Sequence, residues 1–422
     1  MSRRAMLLRS SVVLWSLGAV AVVALTCIAM IEPTFVVVFG GGVVAVVAVI
    51  RVPHWALAAG LLLSLVSGVS SELATAGGWL LILCGLFGLF ELMRSGSDAN
   101  LARALVLPLS LIGWLILRFL VVGDSASVAD ALRCGAVVLA MAACISRKVD
   151  ITRALGYVGA IFITASLVFG ATNTLGTRFE GISGNPNRMV LGLLLLVPFT
   201  VSLASKGHHW FVRLGSLASV VAAIFLVVQS GSAQGLVGLL FLALSFFVWF
   251  LAGRGRVLRA LVWIIAVVTV LVSIPIVFEM IQSSDDLTTL SGRTPIYAAA
   301  LADIINNPLI GSGLRSVSEG AIVDRSAHSA VLGLAASAGI LAAVVWITLM
   351  VVVAVRGAAS LASGWIVGAS AIILVSEQFV QSIELVPIAW AILAYFVLGV
   401  KDGLTSPQTE CEFVGRERAA NA

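Results

Sequence analysis

Gly235-Leu-Val-Gly-Leu-Leu-Phe-Leu-Ala-Leu-Ser-Phe-Phe-Val-Trp-Phe-Leu-Ala252 runs for eighteen residues without a charged side chain. As a helix it would be ~27 Å long, close to the roughly 30 Å apolar thickness of a bilayer. Backbone groups in lipid must be satisfied within the segment, and the run has no period-2 alternation, so it reads as a spanning helix and not a barrel strand. The pattern extends outward in both directions. Of 422 residues, 60% are hydrophobic and 11% charged, with a mean hydropathy of +1.13. Soluble domains carry about a quarter charged residues. The composition therefore excludes a soluble enzyme, a disordered chain and a fibrous protein.

Apolar runs divided by polar breaks fall near 11–31, 34–50, 55–68, 74–93, 104–122, 129–145, 154–171, 189–204, 211–229, 235–252, 258–278, 328–354, 360–377 and 385–400. The expected fold is all-α: a polytopic membrane helical bundle of about 12–14 transmembrane helices, read directly from these runs. Residues 1–400 would form one transmembrane domain and 401–422 a disordered cytoplasmic tail. The first run is too long for a signal-peptide core and is read as a retained span.

Charge placement orients the bundle. With a cytoplasmic N-terminus and strict alternation, eighteen of the 25 basic residues occupy inner segments, and thirteen of the 20 carboxylates lie outside. By the positive-inside rule both termini are then cytoplasmic. Two basic residues, Arg118 and Arg133, fall within spans, where Asp124 or Asp130 could neutralise them. The remaining five stand in two outer loops: Arg178 and Arg188 in the first, and Arg293, Arg315 and Arg325 in a long loop at about 279–327.

The first of these loops reads Asn173-Thr-Leu-Gly-Thr-Arg178-Phe-Glu-Gly-Ile-Ser-Gly-Asn185-Pro186-Asn187-Arg188. Gly, Asn and Pro at this density specify turns. Turn N–H groups and guanidinium side chains can form an anion-binding concavity; the plain alternative is a solvated turn whose Arg188 snorkels at the next span. In the long loop, Thr294 as cap, Pro295 at the first helical position and Asn306-Asn307-Pro308 as terminator bracket a short amphipathic helix. This helix would lie on the outer surface or cover a cavity, with Arg293 immediately before its N-terminus, where anions are favoured. Gly311-Ser-Gly313-Leu-Arg315 follows as a flexible turn, and Asp324-Arg325-Ser-Ala-His328-Ser329 stands at the mouth of the next span. A lone His there is more often interfacial or capping than catalytic.

Four of the five cysteines, Cys27, Cys84, Cys134 and Cys144, fall in apolar runs and Cys411 in the tail, so no disulfide framework is expected. No Cys/His or carboxylate pattern has metal-ligand spacing, and no phosphate loop or nucleophile elbow is present. Neither a cofactor nor a nucleic-acid partner is expected. Arginines on the outer face suit an anionic substrate, because guanidinium pairs bidentately with phosphate oxygens and stays charged. A polyprenyl-linked sugar would place its tail among helices and its pyrophosphate against Arg.

Three stretches resemble the O-antigen ligase and O-antigen polymerase superfamily of bacterial membrane glycosyltransferases. They are Arg178-Phe-Glu-Gly-Ile-Ser-Gly-Asn-Pro-Asn187; Ser291-Gly-Arg293-Thr-Pro-Ile-Tyr with Asn307-Pro308-Leu-Ile-Gly311-Ser-Gly313; and Ala327-His328-Ser329 followed after nine residues by Gly339. The resemblance implies metal-independent transfer of a glycan from a polyprenyl-pyrophosphate donor to an acceptor hydroxyl on the outer side of the bacterial inner membrane, in surface-polysaccharide, O-antigen or exopolysaccharide synthesis. It implies that Arg178 and Arg293, with Asn187, bind the donor, and that His328 orients or deprotonates the acceptor hydroxyl. Arg315 is added to the substrate-binding set by its position alone. Partners would be the lipid-linked glycan, a glycan or lipid acceptor and the bilayer, with room for a chain-length regulator. Two departures stand out: Ser230-Gly-Ser232-Ala233-Gln234 occurs where Ser-Arg is often found, and Ala342 where a ligase has Gly, Thr or Tyr. The second weakens ligation to lipid A relative to polymerisation. A secondary transporter or flippase for an anionic amphiphile is the competing class, although the halves show no convincing repeat. A non-catalytic assembly protein would leave the outer arginines without a task.

Overall fold

The computed structural model of the protein describes residues 44–95, 99–172, 179–206, 210–252, 293–313, 329–378 and 383–399. After a helical stretch at 44–51, the chain forms α1 (Pro53–Ser64), α2 (Ser71–Ser95), α3 (Ala99–Val122), α4 (Ser125–Ser146) and α5 (Ile151–Phe169). A small hairpin follows, β1 (Ala171–Thr172) and β2 (Phe179–Gly181), antiparallel with Ala171 opposite Gly181. Then come α6 (Pro186–Lys206), α7 (Trp210–Gln229), α8 (Ala233–Ala252), α9 (Arg293–Asn306), α10 (Ala330–Ala338), α11 (Ile340–Ala362), α12 (Gly368–Glu377) and α13 (Pro387–Leu398). Among the described residues, eight helices, α2–α8 and α11, are long and apolar enough to cross a membrane. The chain is a polytopic all-α membrane protein.

Local chemistry explains where the helices begin. The Asp124 carboxylate accepts the Ser127 N–H at 3.0 Å to cap α4, and the Asp150 carboxylate accepts that of Arg153 at 3.0 Å to cap α5. Proline supplies the first position of α1 and α13. Packing explains where they meet. A methyl group on Gly85 or Gly88 of α2 would collide with the α4 backbone at Ala136 and Leu139, and one on Gly156 or Gly159 of α5 with Leu203 and Thr200 of α6. Small residues thus let the backbones approach where no hydrophobic effect drives helices together. α6 is the centre: 83% of its apolar window is buried, against 28% for α7. The outer helices turn large apolar side chains such as Met93, Val121, Phe169 and Val221 outward, as lipid contact requires.

Several expected boundaries shift. The run 328–354 is two helices, α10 and α11, broken at Gly339, whose φ of 92° is left-handed backbone. Hydropathy continues unbroken across this point, so only geometry reveals it. Consequently α11 extends to Ala362, and the run 360–377 reduces to the short α12. The run 55–68 is the twelve-residue α1. The loop helix begins at Arg293 itself, two residues earlier than its cap pattern predicts. Asp124 does not neutralise Arg118; it caps α4, whereas Arg118 donates to the Gly311 carbonyl at 2.9 Å. Asp130 does pair with Arg133, at 2.9 Å. The expected spans 11–31 and 258–278 and the tail 401–422 lie outside the described residues.

Candidate functional site

The starts of α6, α8 and α10, the end of α12 and the start of α13 share one end of the bundle, the end that charge placement predicts to be outer. The stretch after Arg178 is built to start α6. Phe179–Gly181 closes the hairpin, and Gly181 and Gly184 take positive φ values of 59° and 64° to turn the chain. Ser183 Oγ donates within 3.0 Å of the Glu180 and Asn185 carbonyls. The Asn185 side-chain oxygen accepts the N–H groups of Asn187 and Arg188, at 2.9 and 3.2 Å, and Pro186 takes the first helical position. Asn187 Oδ1 accepts the Ser232 hydroxyl at 3.0 Å, tying this turn to the turn before α8. The residue expected to touch substrate thus also joins two helix starts.

Beside that tie lies a buried polar pair. Gln234 Nε2 donates to Glu377 Oε2, and both residues are at most 4% exposed. Next to it, the Gln378 carbonyl accepts the Ala330 N–H at 3.0 Å, and its amide oxygen accepts the Trp346 indole N–H. Ser329 Oγ caps α10 by accepting the Leu332 N–H at 3.4 Å. The small polar residue of the third stretch is therefore a helix cap, and its nine-residue spacer is α10 itself, closed by Gly339.

The second stretch is a clamp. Ser312 and Gly313 donate their N–H groups to the Ala336 and Ser337 carbonyls at 2.7 Å each, and the Ile340 N–H reaches the Pro308 carbonyl at 2.8 Å. The Trp114 indole donates to the Ala338 carbonyl at 2.8 Å. A side chain at Gly339 would strike the Leu309 carbonyl, and one at Gly311 the backbone at Ser337. Residues 307–313 thus fasten the end of α9 to the break between α10 and α11, with Ala299 and Ala300 of α9 packed against α10 at Leu332 and Ala336. Partial burial raises the Asp303 carboxyl above its ordinary range.

Of the expected site residues, Asn187 is placed as described and Arg293 forms the first residue of α9. Arg178, Arg315 and His328 lie outside the described residues. The structure adds an arginine that spacing left inside a span. Arg133, on α4, shares a cavity of about 190 Å³ with Arg188 on α6, Asp130 and Ser183. Among the described residues no group of three or more metal-ligating side chains occurs.

The family model described as O-antigen ligase matches residues 218–347. The matched span includes Arg293, Arg315 and His328 and the whole clamp from Asn307 to Gly339, while Arg178 and Asn187 precede it. No curated protein matches the chain.

Proposed function

As a chain with an O-antigen ligase match, in the superfamily that its three motif stretches resemble, we propose that this multi-pass bacterial inner-membrane protein transfers or polymerises a glycan from a polyprenyl-pyrophosphate donor. The acceptor is a hydroxyl of a glycan or lipid at the outer membrane face. The observation that carries this reading is the clamp, which fastens the helix opening with Arg293 to the helix that begins two residues after His328. The joined elements are thus a helix whose N-terminus favours anions and a helix that follows the imidazole in the sequence, which supports the reading.

In the proposed reaction the acceptor oxygen attacks the anomeric carbon, and the bond from that carbon to the pyrophosphate oxygen breaks. His328 takes the hydroxyl proton, a contribution typically worth 10²–10⁴-fold. Arg178, Arg293 and Arg315 hold the pyrophosphate, and their charge stabilises it as it leaves as polyprenyl pyrophosphate. Asn187 orients the donor beside them.

Transfer from a purified polyprenyl-pyrophosphate glycan, followed by product mass, tests the scheme. His328→Ala is expected to lower turnover by at least 10²-fold with unchanged thermal unfolding, and undiminished turnover would remove His328 from the chemistry. Arg293→Lys retains charge but loses the planar fork, so a fall of about tenfold or more is expected; wild-type kinetics would count against bidentate recognition. Flux of labelled lipid across proteoliposomes without glycan product would favour a transporter instead.

A further inference from the structure

The cavity shared by Arg133 and Arg188 belongs to none of the three motif stretches' assigned roles, and it is assembled from elements far apart in the chain. On one side, α2 contributes Gly78, where any side chain would collide with the Arg133 guanidinium. That glycine lets the guanidinium lie flat against the helix. Asp130 holds one of its terminal nitrogens at 2.9 Å, while Nε is buried without a hydrogen-bond partner among the described residues. Ser67 Oγ donates to the Ser183 carbonyl at 2.9 Å, and Gly68 approaches Gly184 so closely that neither tolerates a side chain. These contacts draw the turn after α1 beneath Arg188. Neither of the two ion pairs among the described residues involves Arg188.

Among the described residues lining the cavity, two arginines stand with one carboxylate, a net positive charge. The start of α13 at Pro387 also lines it, adding the positive end of a helix dipole. Leu65, Leu385 and Ile388 form an apolar flank. A volume of about 190 Å³ corresponds to roughly six waters at ~30 Å³ each, enough for a phosphate group and the first part of an attached chain. We propose that this cavity is a second anion site, which holds the phosphate group of an amphiphile between Arg133 and Arg188 with the amphiphile's tail along the apolar flank. The proposal concerns Arg133 and Arg188 rather than Arg178 and Arg293, and occupancy of the cavity does not require glycan transfer.

The test uses the full chain in neutral detergent, carrying Arg178→Gln and Arg293→Gln so that the donor site is silenced and transfer is lost. Farnesyl phosphate binding is measured by titration calorimetry, with farnesol as the uncharged control. Farnesyl phosphate is expected to bind and farnesol not to. Adding Arg133→Gln or Arg188→Gln is expected to weaken binding at least tenfold, and adding Asp130→Asn to tighten it several-fold by removing the competing carboxylate. Arg188 is exposed, so its variant is expected to unfold at the parental temperature, which keeps a loss of binding interpretable. Competition by phosphatidylglycerol at similar concentration would identify a bilayer headgroup as occupant; failure to compete would identify a polyprenyl phosphate. Equal binding of farnesol, or unchanged affinity in both arginine variants, would overturn the proposal, whatever the fate of the transfer reaction.

Discussion

Gly339 holds a conformation that side-chain-bearing residues rarely adopt, and a carbonyl stands where its side chain would be. Gly339→Ala is therefore expected to destabilise the protein by about 1–3 kcal/mol and to loosen 307–313, seen as a lower unfolding temperature and faster amide exchange in that turn. Arg118, bonded to the Gly311 carbonyl, secures the same turn from α3. At this scale the sequence was legible where partners are close neighbours, as with Asp130, one turn from Arg133. It was silent where partners are distant. Gln234 meets Glu377 across 143 positions, and Gly78 backs Arg133 from another helix. No local pattern encodes such meetings, so Arg133 read as a neutralised charge within a span.

At the scale of elements, small residues decide which helices touch. Gly85→Leu would push α2 away from α4 at Ala136 and is expected to lower the unfolding temperature sharply, with Gly113→Leu, whose site is open, as the tolerated control. Ser329→Ala removes the side-chain cap of α10 and is expected to cost about 1 kcal/mol, measurable by thermal unfolding in detergent. Helix existence was legible because apolar runs in lipid admit one backbone solution. The break between α10 and α11 was not, since a backbone turn needs no change in hydropathy. The shortness of α12 escaped for a related reason: apolar composition measures the environment of a segment, not the length of its helix.

For the whole molecule, the test of orientation is labelling. Cys84, Cys134 and Cys144 are buried and are expected to resist a thiol reagent in the folded state. With Cys27 and Cys411 replaced, an impermeant maleimide applied to intact spheroplasts is expected to label a cysteine at the exposed Ala126 but not one at Lys148; the reverse pattern would invert the bundle. Charge alone predicts a direction for the bundle, whereas the gathering of the starts of α6, α8, α10 and α13 with the clamp at a single end required coordinates. That clamp makes α10 a ruler. Fixed at both ends, by Ser329 against Gln378 and by Gly339 against Leu309, its nine residues set the separation between the entering strand of chain and the fastened turn. Adding one residue would advance that entry by ~1.5 Å and rotate it by about 100°. A single insertion there would turn the start of α10 away from the register that the clamp sets while leaving the hydropathy of the run 328–354 nearly unchanged.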